Sequence, residues 1–426
     1  MAAANRDITS NRSGRARLPW LCVWLAVAIV MMTGCSAAKS TTKIGPQTYS
    51  FWPQFPEEPR MQFLVSYQYS DEVEPSKSGL EDLIYGEERR VLPINKPYGI
   101  EMRDGKIYIC DTRNAGVIVL DLRKQQTRLM GTAGMGRLSS PTDVAIASDG
   151  LIYVSDASRG AIFVYDAEEK HVASFGWQGF RPTGIAVHGD ELYVCDFVSQ
   201  QVQVLDRLTG DRRRTIGEKG DQDGQFVRPL GIDVDRDGNI YVADVIRCRV
   251  QKFSAEGKLL GAFGGIGDVL GAFVRPKHLA VDRQGIVYVA DAAFANVQMF
   301  NEDDRLLMFF GATGEHPGSM YLPAGVCVHE GDLDLFEDYI HPAFDARRLV
   351  LVTNQFGPNK VAVYAMGQLR EGYTVQDIAT SRAAMESGLL EEGEEPALPD
   401  QAPLTPPPSE GDSDQAPEGD EREEQP

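Results

Sequence analysis

Six echoes of one short phrase constrain this 426-residue chain more than anything else in it. YICD ends at Asp111, YVSD at Asp156, YVCD at Asp196, YVAD at Asp244 and again at Asp291, and LVTN at Asn354. A proline-led phrase precedes each one: PYGIEM from Pro97, PTDVAI from Pro141, PTGIAV from Pro182, PLGIDV from Pro229, PKHLAV from Pro276 and PAGVCV from Pro323. The prolines recur every 41–47 residues. A period of about 40–50 residues built from short alternating strands marks propeller blades, each of which buries its apolar faces only by stacking on its neighbours. The expected fold is therefore all-β, a ring of six blades.

The fourth repeat shows how a blade is built. GIDVD from Gly231 is strand a, and IYVAD ending at Asp244 is strand b. Between them Asp237-Gly238 supplies the positive φ that a tight hairpin needs. RVQKFS and KLLGAFG follow as strands c and d, with apolar residues alternating along them. The sixth repeat has strands a to c and then stops. Residues 61–70, MQFLVSYQYS, carry a strand-d pattern ahead of the first blade. They are expected to complete blade six and so remove an open sheet edge.

The recurring consensus RPxGIxVDxxGxIYVADxxxxRVQxF resembles NHL repeats, a six-bladed propeller family of bacteria and eukaryotes. The likeness covers residues 97–366 and implies a binding platform more than a chemistry, since fold does not fix function.

The front end gives an address. Residues 1–17 carry four arginines, and the apolar run LPWLCVWLAVAIVMM is too short to span a bilayer comfortably and ends in small residues, as a secretory signal does. Met32-Thr33-Gly34-Cys35 resembles the bacterial lipobox, in which the cysteine is acylated and the signal is cut before it. This implies an exported protein lipid-anchored through Cys35 to a bacterial membrane, the outer one in a Gram-negative host, and held by a stable multi-chain anchor. The chain divides accordingly into a signal peptide (1–34), a linker (35–60), the propeller (61–367), a short extension with helical potential (368–384) and a tail (385–426).

Charge narrows the partners. The formal net charge is −20, and the tail alone carries fourteen carboxylates against one arginine. Rich in Pro, Glu, Asp and Ser, the tail cannot bury enough surface to offset its ordering entropy and is expected to stay disordered. The acidic body has no basic stripe, which argues against nucleic acid. Cys110, Cys195, Cys248 and Cys327 have no obvious mates and are expected as free buried thiols. No C-x-x-C-H occurs, so covalent haem is excluded.

Chemistry has to live at the rim where strand a begins and strand b ends. Lys96, Arg181, Arg228 and Arg275 precede four of the prolines, and the five strand-b aspartates lie beside them. Pairing of these arginines with the aspartates, together with Asp capping of loop amides, is the expectation, because a structural device repeats where a catalytic site breaks symmetry. Two residues after each proline the chain has Gly99, Asp143, Gly184, Gly231, His278 and Gly325. Asp143 and His278 therefore break the ring, on opposite blades. Zinc-dependent amidating lyases of similar fold place several histidines at about this position. One imidazole and one carboxylate fall short of the three protein ligands of catalytic zinc. A calcium or zinc ion near Asp143 and His278 stays an open alternative, with no cofactor as the main expectation. No G-x-S-x-G occurs, and the six histidines stand beside no evident nucleophile.

Recognition residues are easier to nominate. The b–c loops place Arg113, Arg159, Phe197, Arg247 and Phe294 on the rim, and arginine and aromatics anchor interfaces. Blade six carries EGDLDLFEDYIHPAFDA (residues 330–346) where its sisters have short turns, and Phe336, Tyr339 and Phe344 there read as a docking element. The expected function is a membrane-anchored scaffold of the bacterial cell envelope that engages a protein or polymer partner. A metal-dependent lyase or lactonase with its site near Asp143 and His278 is the alternative. A polysaccharide-binding module is the third reading, with Trp177 and Phe180 as its aromatic platform.

Overall fold

Alternation along the repeats produces the expected ring. The computed structural model describes residues 49–74 and 91–379. Each of the first five blades is a four-stranded antiparallel sheet whose neighbours follow chain order. In blade four these strands are Pro229–Val234, Ile240–Asp244, Arg249–Phe253 and Leu259–Gly264. Pro229 pairs with Asp244 and Val234 with Ile240. Every repeat thus brings its proline and its strand-b aspartate to one rim. The a–b turn closes through Asp235, whose Oδ1 accepts from the amides of Asp237 (2.9 Å) and Asn239 (2.8 Å). Gly238 sits there at φ 85°, the left-handed region in which glycine bears no Cβ penalty.

The core is divided among the blade interfaces. Cys110, Val117 and Val119 of blade one pack against Val144, Ile152, Val154 and Phe163 of blade two. Equivalent layers repeat around the ring. The four cysteines among the described residues are free and buried, and burial pushes the Cys110, Cys195 and Cys327 thiols well up.

Blade six closes the ring as the missing strand required. Its strands Pro323–His329, Phe344–Asn354 and Val361–Leu369 are completed by Met61–Tyr67, here β2. The pairing runs from Met61↔Met366 to Tyr67↔Val361. Met61, Leu64, Val65 and Tyr67 are all buried. At about 1.5–3 kcal/mol each this seam is worth roughly 6–12 kcal/mol, comparable to the whole stability of a domain. The linker drawn over residues 35–60 ends too late: Phe51–Trp52 (β1) forms a fifth strand outside β2, and both rings are buried. A helical turn covers residues 375–379 of the extension, with Ile378 buried against the blade-six core. Cys35, the signal region and the acidic tail lie outside the described residues.

Candidate functional site

The rim aspartates are occupied by backbone. Asp291 accepts from the amides of Val274 (2.8 Å), Arg275 (3.0 Å), Ala293 (2.9 Å) and Phe294 (3.1 Å). Asp111 does the same for Asn95, Lys96, Arg113 and Asn114, and Asp156 for Ser139, Ser140, Ser158 and Arg159. Each carboxylate ties its b–c loop to the entry of strand a. The capping half of the expectation holds and the pairing half does not. Among the described residues Lys96, Arg181, Arg228 and Arg275 make no ion pair, because the neighbouring carboxylates already face amides. Arg181 and Arg228 instead stack on Phe197 from two blades, at 4.8 and 4.7 Å from its ring centroid.

Inside the ring the two symmetry-breaking residues meet. His278 Nε2 lies 3.2 Å from Asp143 Oδ2. Asp143 is further fixed by the Val144 amide on Oδ1 (3.0 Å) and the Ile185 amide on Oδ2 (2.9 Å). Glycine at the other four positions has a packing reason. A Cβ on Gly99 would lie 2.2 Å from Asp143 Oδ1, and one on Gly325 2.3 Å from the Tyr98 carbonyl. Neighbouring strands a are too close there for a side chain on any of these glycines.

A second layer of the same channel was missed by the sequence reading. Four residues after the prolines stand Glu101, Ala145, Ala186, Asp233, Ala280 and Cys327. Glu101 and Asp233 break the pattern, two positions along strand a from the layer already singled out. Period-two alternation puts both layers on one face, so the signal was present but read at one offset only. The wall encloses both acids while leaving them some area that water reaches. Burial pushes the Glu101 carboxyl up to about 8, assisted by the charges of Asp233 and Asp143 and opposed by the Met102 amide and His278. Burial likewise raises Asp233 to about 6, against the amides of Val281 (2.8 Å on Oδ2) and Val234 (2.8 Å on Oδ1). For His278, burial pulls downward, but the Asp143 carboxylate and Asp233 more than offset it and the imidazole is raised. Glu101, Asp233, Asp143 and His278 thus lie within electrostatic reach of one another, and the Glu101 and Asp233 carboxyls hold their protons at different pH.

As placed, these residues do not form a ready-made metal site. Both oxygens of Asp143 and both of Asp233 already accept backbone amides, and His278 is turned to Asp143. Among the described residues no group of three His, Cys, Asp or Glu side chains is placed to hold a metal.

The nominated recognition residues separate into two groups. Arg113, Arg159 and Arg247 are exposed on the rim, and Phe197 and Phe294 are half-buried there. Arg159 lies over the Phe163 ring at 5.0 Å. The blade-six insertion is not an open docking element. Phe336 and Phe344 are buried to 1 % and 0 % exposure, and Tyr339 is half-buried. The insertion folds as a 3-10 segment, Leu333–Tyr339, onto the seam. Gln62 of β2 donates to the Tyr339 carbonyl (2.8 Å) and accepts from the His341 amide (3.1 Å). On the side of blade one, Arg123 bonds Asp332 (2.5 Å) and Asp334 (3.1 Å). Its aromatics serve ring closure, a role that a mixed aromatic and acidic sequence does not distinguish from docking. Trp177 and Phe180 stack on each other at 3.8 Å with Arg212 over the indole, which leaves no open platform for a sugar.

Residues 85–264 match the family model described as SMP-30/Gluconolactonase/LRE-like region. A Caenorhabditis elegans protein named "Probable peptidyl-alpha-hydroxyglycine alpha-amidating lyase pgal-1" is 26% identical over 206 residues, 46% of this chain and 54% of the relative. The Arabidopsis thaliana protein "SUPPRESSOR OF QUENCHING 1, chloroplastic" is 26% identical over 219 residues, 40% of this chain and 21% of the relative. The chain thus spans about half of one curated relative and about a fifth of the other. Among solved structures, selenomethionine-substituted virginiamycin B lyase from Staphylococcus aureus covers 64% of this chain and 95% of its own length at 12% identity and TM-score 0.45. The matching family model is of lactonase type, and the NHL likeness rests on the repeat phrases themselves.

Proposed function

We propose that the central channel is the functional site and that the protein is an acid–base bond-cleaving enzyme of the lactonase or lyase kind. The observation that carries this reading is the placement of Asp143, His278, Asp233 and Glu101, the symmetry-breaking polar residues of the two channel-facing layers of strand a, within electrostatic reach of one another. Repetition explains the rim aspartates as structure; it explains none of these four. The lactonase-type match over residues 85–264 and the lyase named among the relatives support the same class.

The chemistry follows from proton affinities. Above about 6 the Asp233 carboxylate accepts a proton, and below about 8 the Glu101 carboxyl holds one to donate. In lactone opening, water adds to the carbonyl carbon, its proton passes to Asp233, and the ring C–O bond breaks. The departing alkoxide takes a proton from Glu101 or from the His278 imidazolium. Asp143 positions that imidazole. The same donor and acceptor serve an elimination, in which the base removes a carbon-bound proton and the acid protonates the leaving group.

A second reading, the envelope scaffold, is favoured by the exposed Arg113, Arg159 and Arg247 on the rim. Export and anchoring through an acylated Cys35 are compatible with both readings and rest on the arginine-rich leader and the Met32–Cys35 phrase. The test is turnover of a panel of aliphatic lactones, simple esters and a peptidyl-α-hydroxyglycine by the full chain. Activity on any of them that disappears in His278→Asn supports the channel; a chain inert on all of them, yet captured by an envelope partner through the rim arginines, supports the scaffold.

A further inference from the structure

The channel has a mouth of the opposite sign to its lining. Lys277 stands one residue after its proline, where the other blades have Tyr98, Thr142, Thr183, Leu230 and Ala324, so it too breaks the ring's symmetry. Its side chain is nine-tenths buried at 8 % exposure. Nζ donates to Gln355 Oε1 (2.8 Å) and lies 5.6 Å from the centroid of the Tyr98 ring. Burial, together with the charges of Arg275 and Lys96, lowers this ammonium to about 8; three cations of blades five and one therefore crowd one space. Lys360 joins them from blade six, its Nζ donating to the carbonyls of Asn95 (3.1 Å) and Gln355 (3.0 Å). On the other arc of the rim Arg181 and Arg228 sandwich Phe197.

None of these six cations makes an ion pair among the described residues, in a protein whose net charge is −20. Their nearest carboxylates, the strand-b aspartates, are held by backbone amides. Solubility does not call for uncompensated cations packed against each other in an acidic protein, and a buried ammonium with two cationic neighbours gains from any anion that reaches it.

We propose that Lys96, Arg275, Lys277 and Lys360, with Arg181 and Arg228 across the mouth, bind the anionic group of the channel's ligand, a carboxylate- or phosphate-bearing compound. This rests on the channel being the functional site, and it adds the substrate class. The anionic end stays at the cationic mouth, and the uncharged reacting portion descends to Asp233 and Glu101, where the Asp233 carboxylate disfavours a second anion. Arginine supplies forked donors and lysine a point charge, the usual pair for such groups.

Calorimetric titration of the full chain with citrate and, separately, with inorganic pyrophosphate tests this. The expected result is saturable binding of at least one probe, weakening as salt is raised. Lys277→Met, Arg275→Gln and Lys96→Gln each weaken it by about tenfold, the loss of one charge-assisted contact. Stronger binding of citrate identifies a carboxylate ligand and stronger binding of pyrophosphate a phosphate. Arg275 and Lys96 are exposed, so their variants report on binding even if Lys277→Met disturbs the fold. Absence of saturable binding by both probes overturns the proposal, as does binding that all three variants leave unchanged. Probe binding without turnover of any panel substrate supports the mouth and removes the channel enzyme. Turnover of neutral lactones without probe binding keeps the enzyme and overturns the mouth.

Discussion

His278 Nε2 reaches Asp143 Oδ2 at 3.2 Å across a separation of 135 residues. The contact spans the ring from blade five to blade two, so it forms only once the ring is closed. Asp143→Ala removes the partner of the imidazole and the acceptor of the Val144 and Ile185 amides. Leaving buried donors unsatisfied costs roughly 1–3 kcal/mol each. Urea unfolding of Asp143→Ala is expected to show a loss of that order, with His278→Asn costing less because the two amides keep their acceptor.

Glu101 is expected to make the ring less stable as pH rises. Its carboxyl is raised from an ordinary value near 4.5 to about 8. Between those values the folded chain keeps a proton that the unfolded chain has released, so stability falls with pH across that window. Glu101→Gln removes the ionisation. Its melting temperature is expected to match the parent near pH 4.5 and exceed it increasingly toward pH 8; a constant difference across the window contradicts this.

His341 acts in the opposite direction. Burial lowers its imidazole to about 4 from an ordinary 6.5, among Tyr49 and Phe51 at the seam. The folded state holds it neutral, so the stability it contributes is present above 6.5 and is lost as pH falls toward 4. Thermal melts of His341→Phe are expected to be flatter over that interval than those of the parent.

The rim aspartates and rim cations are expected to separate cleanly. Asp291→Ala leaves four amides without their acceptor and is expected to cost roughly 2–4 kcal/mol in chemical denaturation. Arg275→Gln, exposed and unpaired, is expected to stay within about 0.5 kcal/mol of the parent. Equal losses in the two variants argue for Arg–Asp pairing after all.

The blade-six insertion is expected to behave as core. Phe336→Ala should cost about 3–5 kcal/mol, as for a large buried aromatic, and Met61→Ala on β2 about 2–5 kcal/mol. Removing residues 49–70 is expected to abolish cooperative unfolding, which circular dichroism melts will show.

The fold was legible because a ring repeats itself: six prolines and their strand-b phrases fixed the blades, and the missing fourth strand of blade six pointed to residues 61–70. The site was half legible. Asp143 and His278 stood out against four glycines, whereas Glu101 and Asp233 stood two residues further along, among alanines and a cysteine. What sequence could not show was direction. Phe336 and Phe344 turn into the seam, and the strand-b carboxylates turn to amides and leave their arginines unpaired, because a loop's local path decides which partner is within reach.

Acid–base catalysis in the channel is tested by the pH profile of lactone opening by the full chain and by Glu101→Gln. The parent is expected to show a bell with limbs near 6 and near 8, set by the Asp233 and Glu101 carboxyls. The rate of Glu101→Gln is expected to be about 10²–10⁴-fold lower, the usual worth of a positioned proton donor. An inert parent chain, or a profile that the variant reproduces in height and shape, would contradict acid–base catalysis there.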